Sequence, residues 1–331
     1  MRRLVVAALA LVVSAATAQA GGLQTVLTPD SILYAIDGAT EDTQLSVSRR
    51  QGADTNDALL VPGTEDPALD SDARLLFDQK TSTLFVIWHK AAAVQDSIML
   101  ASVDAKGNWS EPVVLSSCSS RRRIGLRTML TRATDEETGV EATLIHAVWW
   151  GVGSDLTAEY ALVAFEGAQL VSTEVSTLDE LAGRHNADGA EDYEDTGAAL
   201  HPPLALARTE SSGVDVVYGA ANSTKIARVR VEPRRVKGDA RLWKPLGRDG
   251  GRTGRSKMVT TSTAPVQAFI SKGRIVLYRP DEKFRFVVLE NGEWSPERMI
   301  QLDQSVSSEE VLRELRKTVD ELAATDAPAQ Q

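Results

Sequence analysis

One phrase appears twice in this chain, Gly107-Asn108-Trp109-Ser110-Glu111-Pro112 and Gly292-Glu293-Trp294-Ser295-Pro296-Glu297, each copy preceded by two strand-like runs and followed by another. A glycine turn, then a tryptophan, then a nearby proline reads as the last hairpin of a repeated four-stranded unit. The outermost strand of such a unit has a free edge, so the missing N–H of proline removes no ladder bond there. The phrase therefore points to architecture rather than to chemistry.

Runs of β-branched and aromatic residues alternate with glycine, aspartate and serine turns through almost the whole chain. Aligning the most apolar strand of each unit brings Tyr34, Trp88, Trp149, Tyr218 and Tyr278 to one position, with separations of 54, 61, 69 and 60 residues. A period this long and loose suits propeller blades better than solenoid repeats. The four strands of each unit are expected at 23–27, 32–36, 44–49 and 58–61; 73–77, 83–89, 97–103 and 109–115; 128–132, 143–150, 159–165 and 170–175; 204–208, 214–218, 225–231 and 242–246; and 266–270, 274–278, 283–289 and 294–302. The fold class is all-β, a single β-propeller of four-stranded blades with a C-terminal α-helix. Five blades is the expected count, with six the alternative if an insertion hides a degenerate blade.

Arg2 and Arg3, an apolar run from Leu4 to Val13 and Ala18-Gln19-Ala20 form a secretory signal peptide with cleavage after Ala20. The apolar run is well short of the roughly 20 residues that span a bilayer, so no transmembrane anchor is expected in the mature chain. The domain reading is signal peptide 1–20, propeller 21–303, helix 304–323 and disordered tail 324–331, in a secreted or periplasmic protein. Cys118 is the only cysteine, so no intramolecular disulfide is available. Val311, Leu312, Leu315, Val319 and Leu322 fall on one face of the C-terminal helix. That face reads as docked on a blade edge, or alternatively as a partner-binding surface.

The formal charge is −10, which argues against nucleic-acid binding. It is unevenly spread: twelve basic residues against three acidic lie between Lys225 and Lys257, after an acidic stretch from Asp179 to Asp195. Within the basic stretch, Arg248-Asp249-Gly250-Gly251-Arg252-Thr253-Gly254-Arg255-Ser256-Lys257 reads as a glycine-loosened loop. Arg248, Arg252, Arg255 and Lys257 are the expected ligand-binding residues, facing an anionic glycan, a lipid headgroup or an acidic protein partner.

Ser102-Val103-Asp104-Ala105-Lys106-Gly107-Asn108-Trp109 resembles the Asp-box of sialidase-like β-propellers, Ser-x-Asp-x-Gly-x-x-Trp, with the glycine one place late. In that family the box is the turn between the third and fourth strands of a blade. The second copy keeps only Gly292 and Trp294, with Val287 and Leu289 where serine and aspartate would stand. The resemblance implies the fold. It would also imply an arginine triad, a tyrosine nucleophile with a glutamate partner and an aspartate acid/base, but the Arg-Ile-Pro signature is missing. Arg121, Arg122, Arg123, Arg127 and Arg132 before and within the third blade, and Tyr218 and Tyr278 on second strands, have no spacing that assigns those roles.

A glycosidase of another propeller family would need two carboxylates at roughly 5–10 Å, one with a raised pKa. Asp78, Asp104, Glu159 and Asp215 are the candidates, Asp215 because it interrupts the apolar run Val214-Asp215-Val216-Val217. His89, His146, His185 and His201 have no metal-ligand spacing, and the acidic run around Asn186-Ala187-Asp188-Gly189 lacks the alternate spacing of a calcium loop. No metal or cofactor is expected. The functional expectation is an exported, non-enzymatic binding or scaffold module for carbohydrate, an anionic ligand or a protein partner, with a glycoside hydrolase as the alternative.

Overall fold

The computed structural model describes residues 24–37, 44–51, 54–55, 58–65, 70–91, 95–119, 122–152, 156–183, 204–219, 226–236, 242–253, 267–279, 285–290, 293–300 and 308–325. The expected signal peptide, and the expected tail from residue 326 on, lie outside them. Among the described residues five antiparallel sheets follow one another along the chain, each a meander in which the first strands pair in order. Blade 1 is β1 (Gln24–Leu27), β2 (Ile32–Asp37) and β3 (Ser46–Gln51), with β4 (Asp54–Thr55) and β5 (Leu59–Leu60) sharing the far edge of β3. Blade 2 is β6 (Asp70–Asp78), β7 (Thr83–Ala91), β8 (Asp96–Val103) and β9 (Val113–Cys118). Blade 3 is β10 (Arg122–Thr134), β11 (Glu141–Val152), β12 (Leu156–Glu166) and β13 (Gln169–Thr177), followed by the one-turn helix α1 (Leu178–Leu181). Blade 4 is β14 (Leu204–Arg208), β15 (Val214–Tyr218), β16 (Ile226–Arg235) and β17 (Trp243–Thr253). Blade 5 is β18 (Gln267–Ser271), β19 (Arg274–Arg279) and β20 (Arg285–Glu290), with β21 (Glu293–Trp294) and β22 (Arg298–Met299) on its outer edge; α2 (Ser308–Thr325) closes the described chain. This is a β-propeller of five blades with a C-terminal helix.

In blades 2 to 5 the second strand is an apolar run buried on both sides, because each face of such a blade meets another blade or, in blade 5, α2. In β7 the six residues from Leu84 to His89 are all buried: Leu84, Val86 and Trp88 face blade 1, while Phe85 and Ile87 face blade 3. The apolar clusters join blades 1 and 2, 2 and 3, 3 and 4, and 4 and 5. A fifth lies between blade 5 and α2, where Leu315 and Val319 are fully buried against Phe269, Val276, Tyr278, Phe286 and Val288. Ser271 Oγ donates to Asp320 Oδ1 at 2.9 Å beside it. The helix thus covers a blade face, not the edge expected from sequence, because the second face of blade 5 carries aromatic side chains that need burial.

The five aligned aromatics do not all share one facing. Trp88, Trp149 and Tyr218 point toward the preceding blade, whereas Tyr34 points toward the following blade and Tyr278 toward α2. Strand side chains alternate, so a one-residue offset in the alignment turns an aromatic to the opposite face.

Proline relocates two outer strands. In blade 2 the outer strand begins at Val113, after Pro112, and Trp109 makes only an isolated bridge to Val103. In blade 5 it is split into β21 and β22 on either side of Pro296. The segment expected to be a loop from Arg248 is instead paired with β16 as far as Thr253, the slack of Gly250 and Gly251 being absorbed near a register shift between Ala227 and Val229.

Candidate functional site

The leading halves of two innermost strands carry the same device. In β6 the pairing passes from Ser71↔His89 to Arg74↔Ile87, so Asp72 and Ala73 stand opposite Trp88 alone. In β10 it passes from Ile124↔Trp150 to Arg127↔Val148, so Gly125 and Leu126 stand opposite Trp149 alone. The first bulge residue is left-handed in both, Asp72 at φ 45° and Gly125 at φ 70°, a conformation that glycine adopts freely and aspartate more readily than most residues. The first paired residue after each bulge is an arginine, Arg74 in blade 2 and Arg127 in blade 3.

These bulges bring charge together between the blades. Asp72 Oδ2 accepts from the backbone N–H of Leu126 at 2.8 Å, and Asp72 Oδ1 forms an ion pair with Arg74 Nη2. The carbonyl of Leu126 accepts both Arg74 Nε and Arg127 Nη1, each at 3.0 Å, so the two guanidiniums share one oxygen. From blade 1, the side-chain oxygen of Gln24 accepts the N–H of Leu75. Burial pulls the pKa of Arg127 down and neighbouring Arg74 adds to that, while Asp72 opposes it. Among the described residues no carboxylate lies within ion-pair distance of Arg127. Two cations therefore face one carboxylate, and that carboxylate bonds Arg74.

The four expected carboxylates occupy four separate settings. Asp78 is almost fully buried between blades 2 and 3, accepting Thr143 Oγ1 at 2.6 Å, Thr81 Oγ1 at 2.9 Å, the N–H of Lys80 at 3.0 Å and Arg132 Nη2. Burial pushes its carboxyl up, but the bonds from Thr143, Arg132, Lys80 and Thr81 outweigh that and hold it below the usual range. Asp104 caps its own exposed turn, accepting the N–H of Lys106 and the N–H and Nδ2 of Asn108; the Asn108 bonds are the main reason its pKa is lowered. Glu159 is buried on β12 and accepts Trp149 Nε1 at 2.7 Å. Asp215, 6% exposed, lies between Arg228 and Arg230, which donate to it at 3.0–3.2 Å. Asp215 and Arg228 form a buried ion pair on the face toward blade 5, which Asp215 shares with Val217.

The basic stretch also spends much of its charge internally. Besides Arg228 and Arg230, Arg235 bonds Asp135 at 3.1 Å and Glu166 at 3.0 Å, tying blade 4 to blade 3. Of the expected ligand residues, Arg248 is exposed on β17, opposite Arg230, and Arg252 is on the same strand, opposite Ala227. Arg255 and Lys257 lie outside the described residues, as do His185, His201 and the acidic run at 186–195.

His89 meets Asp96 at 3.1 Å, and His146 lies in a buried polar chain. Thr131 donates to the Ser212 carbonyl at 2.7 Å, so His146 Nε2 must donate to Thr131, leaving Nδ1 to accept Tyr160 Oη at 2.7 Å. Among the described residues no three of His, Cys, Asp and Glu converge as metal ligands would.

The twin phrase has a shared structural meaning. Ser110 donates its N–H to the Ser102 carbonyl at 2.8 Å and takes the Ser102 N–H on its hydroxyl at 3.0 Å; Ser295 does the same with Val288 at the same two distances. Each serine stands in for a ladder residue where the outer strand departs.

No family description and no curated protein matches this chain. Among solved structures it is similar to an exo-β-1,3-galactanase from Phanerochaete chrysosporium with galactose, at 9% identity and a TM-score of 0.33 over 84% of this chain and 67% of that one. It is also similar to a point mutant of the NanB sialidase from Streptococcus pneumoniae, at 9% identity and a TM-score of 0.35 over 86% of this chain and 62% of that one. The likeness is one of fold, and this chain spans about two thirds of the length of each. The described sheets and their packing define the class as a five-bladed β-propeller.

Proposed function

We propose that the chain is an exported, non-enzymatic binding module that takes an anionic ligand, of the class of an acidic glycan, between the innermost strands of blades 2 and 3. One observation carries this reading: Arg127 is a half-buried guanidinium with no carboxylate at ion-pair distance among the described residues, held beside Arg74 by a shared carbonyl. A guanidinium in that state gains most from a carboxylate or sulfate, whose two oxygens match its paired N–H groups. The paired bulges supply positioning, because they aim both arginines from rigid strands rather than from loops. The leader sequence supports export.

The reading is tested on a panel of immobilised glycans carrying uronate, sialate or sulfate groups beside neutral ones. Binding confined to the acidic glycans and lost in Arg127→Gln supports it; retention by Arg127→Gln sinks it. The cations of the outer edge of blade 4 and the segment after it, Arg248, Arg252, Arg255 and Lys257, are proposed as a secondary contact for the same ligand. Charge reversal at Arg252 and Arg255 then weakens binding at low salt without changing thermal stability.

A further inference from the structure

A second cationic feature lies away from the Arg127 site, in a cavity of about 160 Å³ between blades 1 and 2. Arg49, paired opposite Tyr34 on the β2–β3 ladder, reaches it from blade 1; Lys106 of the Asp-box turn reaches it from blade 2. Leu59 and Leu84 line it as well, and Tyr34, stacked on Phe77 at 6.0 Å between ring centroids, forms an aromatic wall.

Arg49 is half-buried, and among the described residues no carboxylate lies within ion-pair distance of its guanidinium. A guanidinium beside apolar walls and without a counter-ion is a good partner for a carboxylate. The one carboxylate at the rim does not serve, because Asp104 is turned into its own loop by Lys106 and Asn108. With Arg49 and Lys106 against Asp104, the cavity keeps a net positive charge.

From the Arg49 guanidinium, which has no ion-pair partner among the described residues, the cationic rim and the apolar and aromatic walls, we infer that this cavity binds a small organic carboxylate with an apolar face, about the size of one acidic sugar or aromatic acid. The carboxylate sits on Arg49, Lys106 draws it in, and the apolar face of the ligand lies on Tyr34 and the two leucines. The Asp-box turn thereby gains a binding role beyond closing its hairpin. This site stands apart from the Arg127 site, and neither depends on the other.

The test titrates isotopically labelled full-length protein carrying Arg127→Gln, so that the Arg127 site is silent, with glucuronate and with benzoate, and follows the amides of Lys106 and Gly107. Glucose and benzyl alcohol are the uncharged controls. The expected result is a saturable shift of both amides by at least one carboxylate and by neither control, with affinity about tenfold weaker in Arg49→Gln. The exposed Lys106→Gln variant, which removes no packing, should weaken it severalfold. Arg49→Gln should melt no lower than its parent, since it removes no ion pair among the described residues. No shift by either carboxylate, or equal affinity in Arg49→Gln and Lys106→Gln, overturns the inference.

Discussion

Asp72 in blade 2 accepts the backbone N–H of Leu126 in blade 3 at 2.8 Å, and Gln24 in blade 1 does the same for Leu75 in blade 2. The inner edge of each innermost strand has no strand to pair with, so its N–H groups need other acceptors. A side chain from the preceding blade supplies one, which makes the link between blades directional. The Asp72 link also sets the position of the two arginines.

Replacing Asp72 by alanine leaves the Leu126 N–H without an acceptor and Arg74 without its carboxylate. Urea unfolding should show a loss of about 1–3 kcal/mol, with Asp72→Asn losing less because it keeps an acceptor oxygen. Equal losses in the two variants would mean that the contact to Leu126 contributes nothing.

Asp215→Ala takes from Arg228 and Arg230 the carboxylate they share beside an apolar interface, and Arg228 is only 7% exposed. A loss of about 3–5 kcal/mol is expected, larger than for Asp72, because a buried ion pair is broken from one side. Adding Arg228→Met to Asp215→Leu should recover much of it.

The imidazole of His146 is fully buried, which drives its pKa from 6.5 down to about 3; the Ser212 carbonyl opposes the shift and Arg208 adds to it. Between those values the unfolded chain takes up a proton that the native protein does not. Stability therefore falls as pH falls through that window, by at most about 1.4 kcal/mol per pH unit. His146→Gln should flatten the fall between pH 6 and pH 5 relative to the parent; an unchanged slope would show that His146 does not carry it.

Leu315→Ala opens a cavity between α2 and blade 5, and a loss of about 2–5 kcal/mol is expected on thermal or urea unfolding. A negligible loss would mean that α2 is not part of the folding unit.

The blades were legible in the sequence because each second strand is an apolar run and each hairpin has turn residues; 204–208 and 214–218 fall where β14 and β15 are. The twin Trp-Ser phrase marks blade edges, as Ser110 and Ser295 show. The one-turn helix α1 went unread although Thr177 and Glu180 form a capping box. The arginine pair was not legible, because bulges are invisible to a period-two reading: Asp72-Ala73-Arg74 and Gly125-Leu126-Arg127 look alike only once Trp88 and Trp149 are seen opposite them. Net charge along the chain also misled at 225–257, where Asp215, Asp135 and Glu166 neutralise three arginines from other strands.

The most direct test of the binding reading is calorimetric titration of one sulfated or sialylated oligosaccharide into the parent and Arg127→Gln at low and high salt. The account predicts saturable binding that weakens with salt in the parent and is about tenfold weaker or absent in Arg127→Gln, with both proteins equally folded. Equal affinity and equal salt dependence in the two proteins would contradict it.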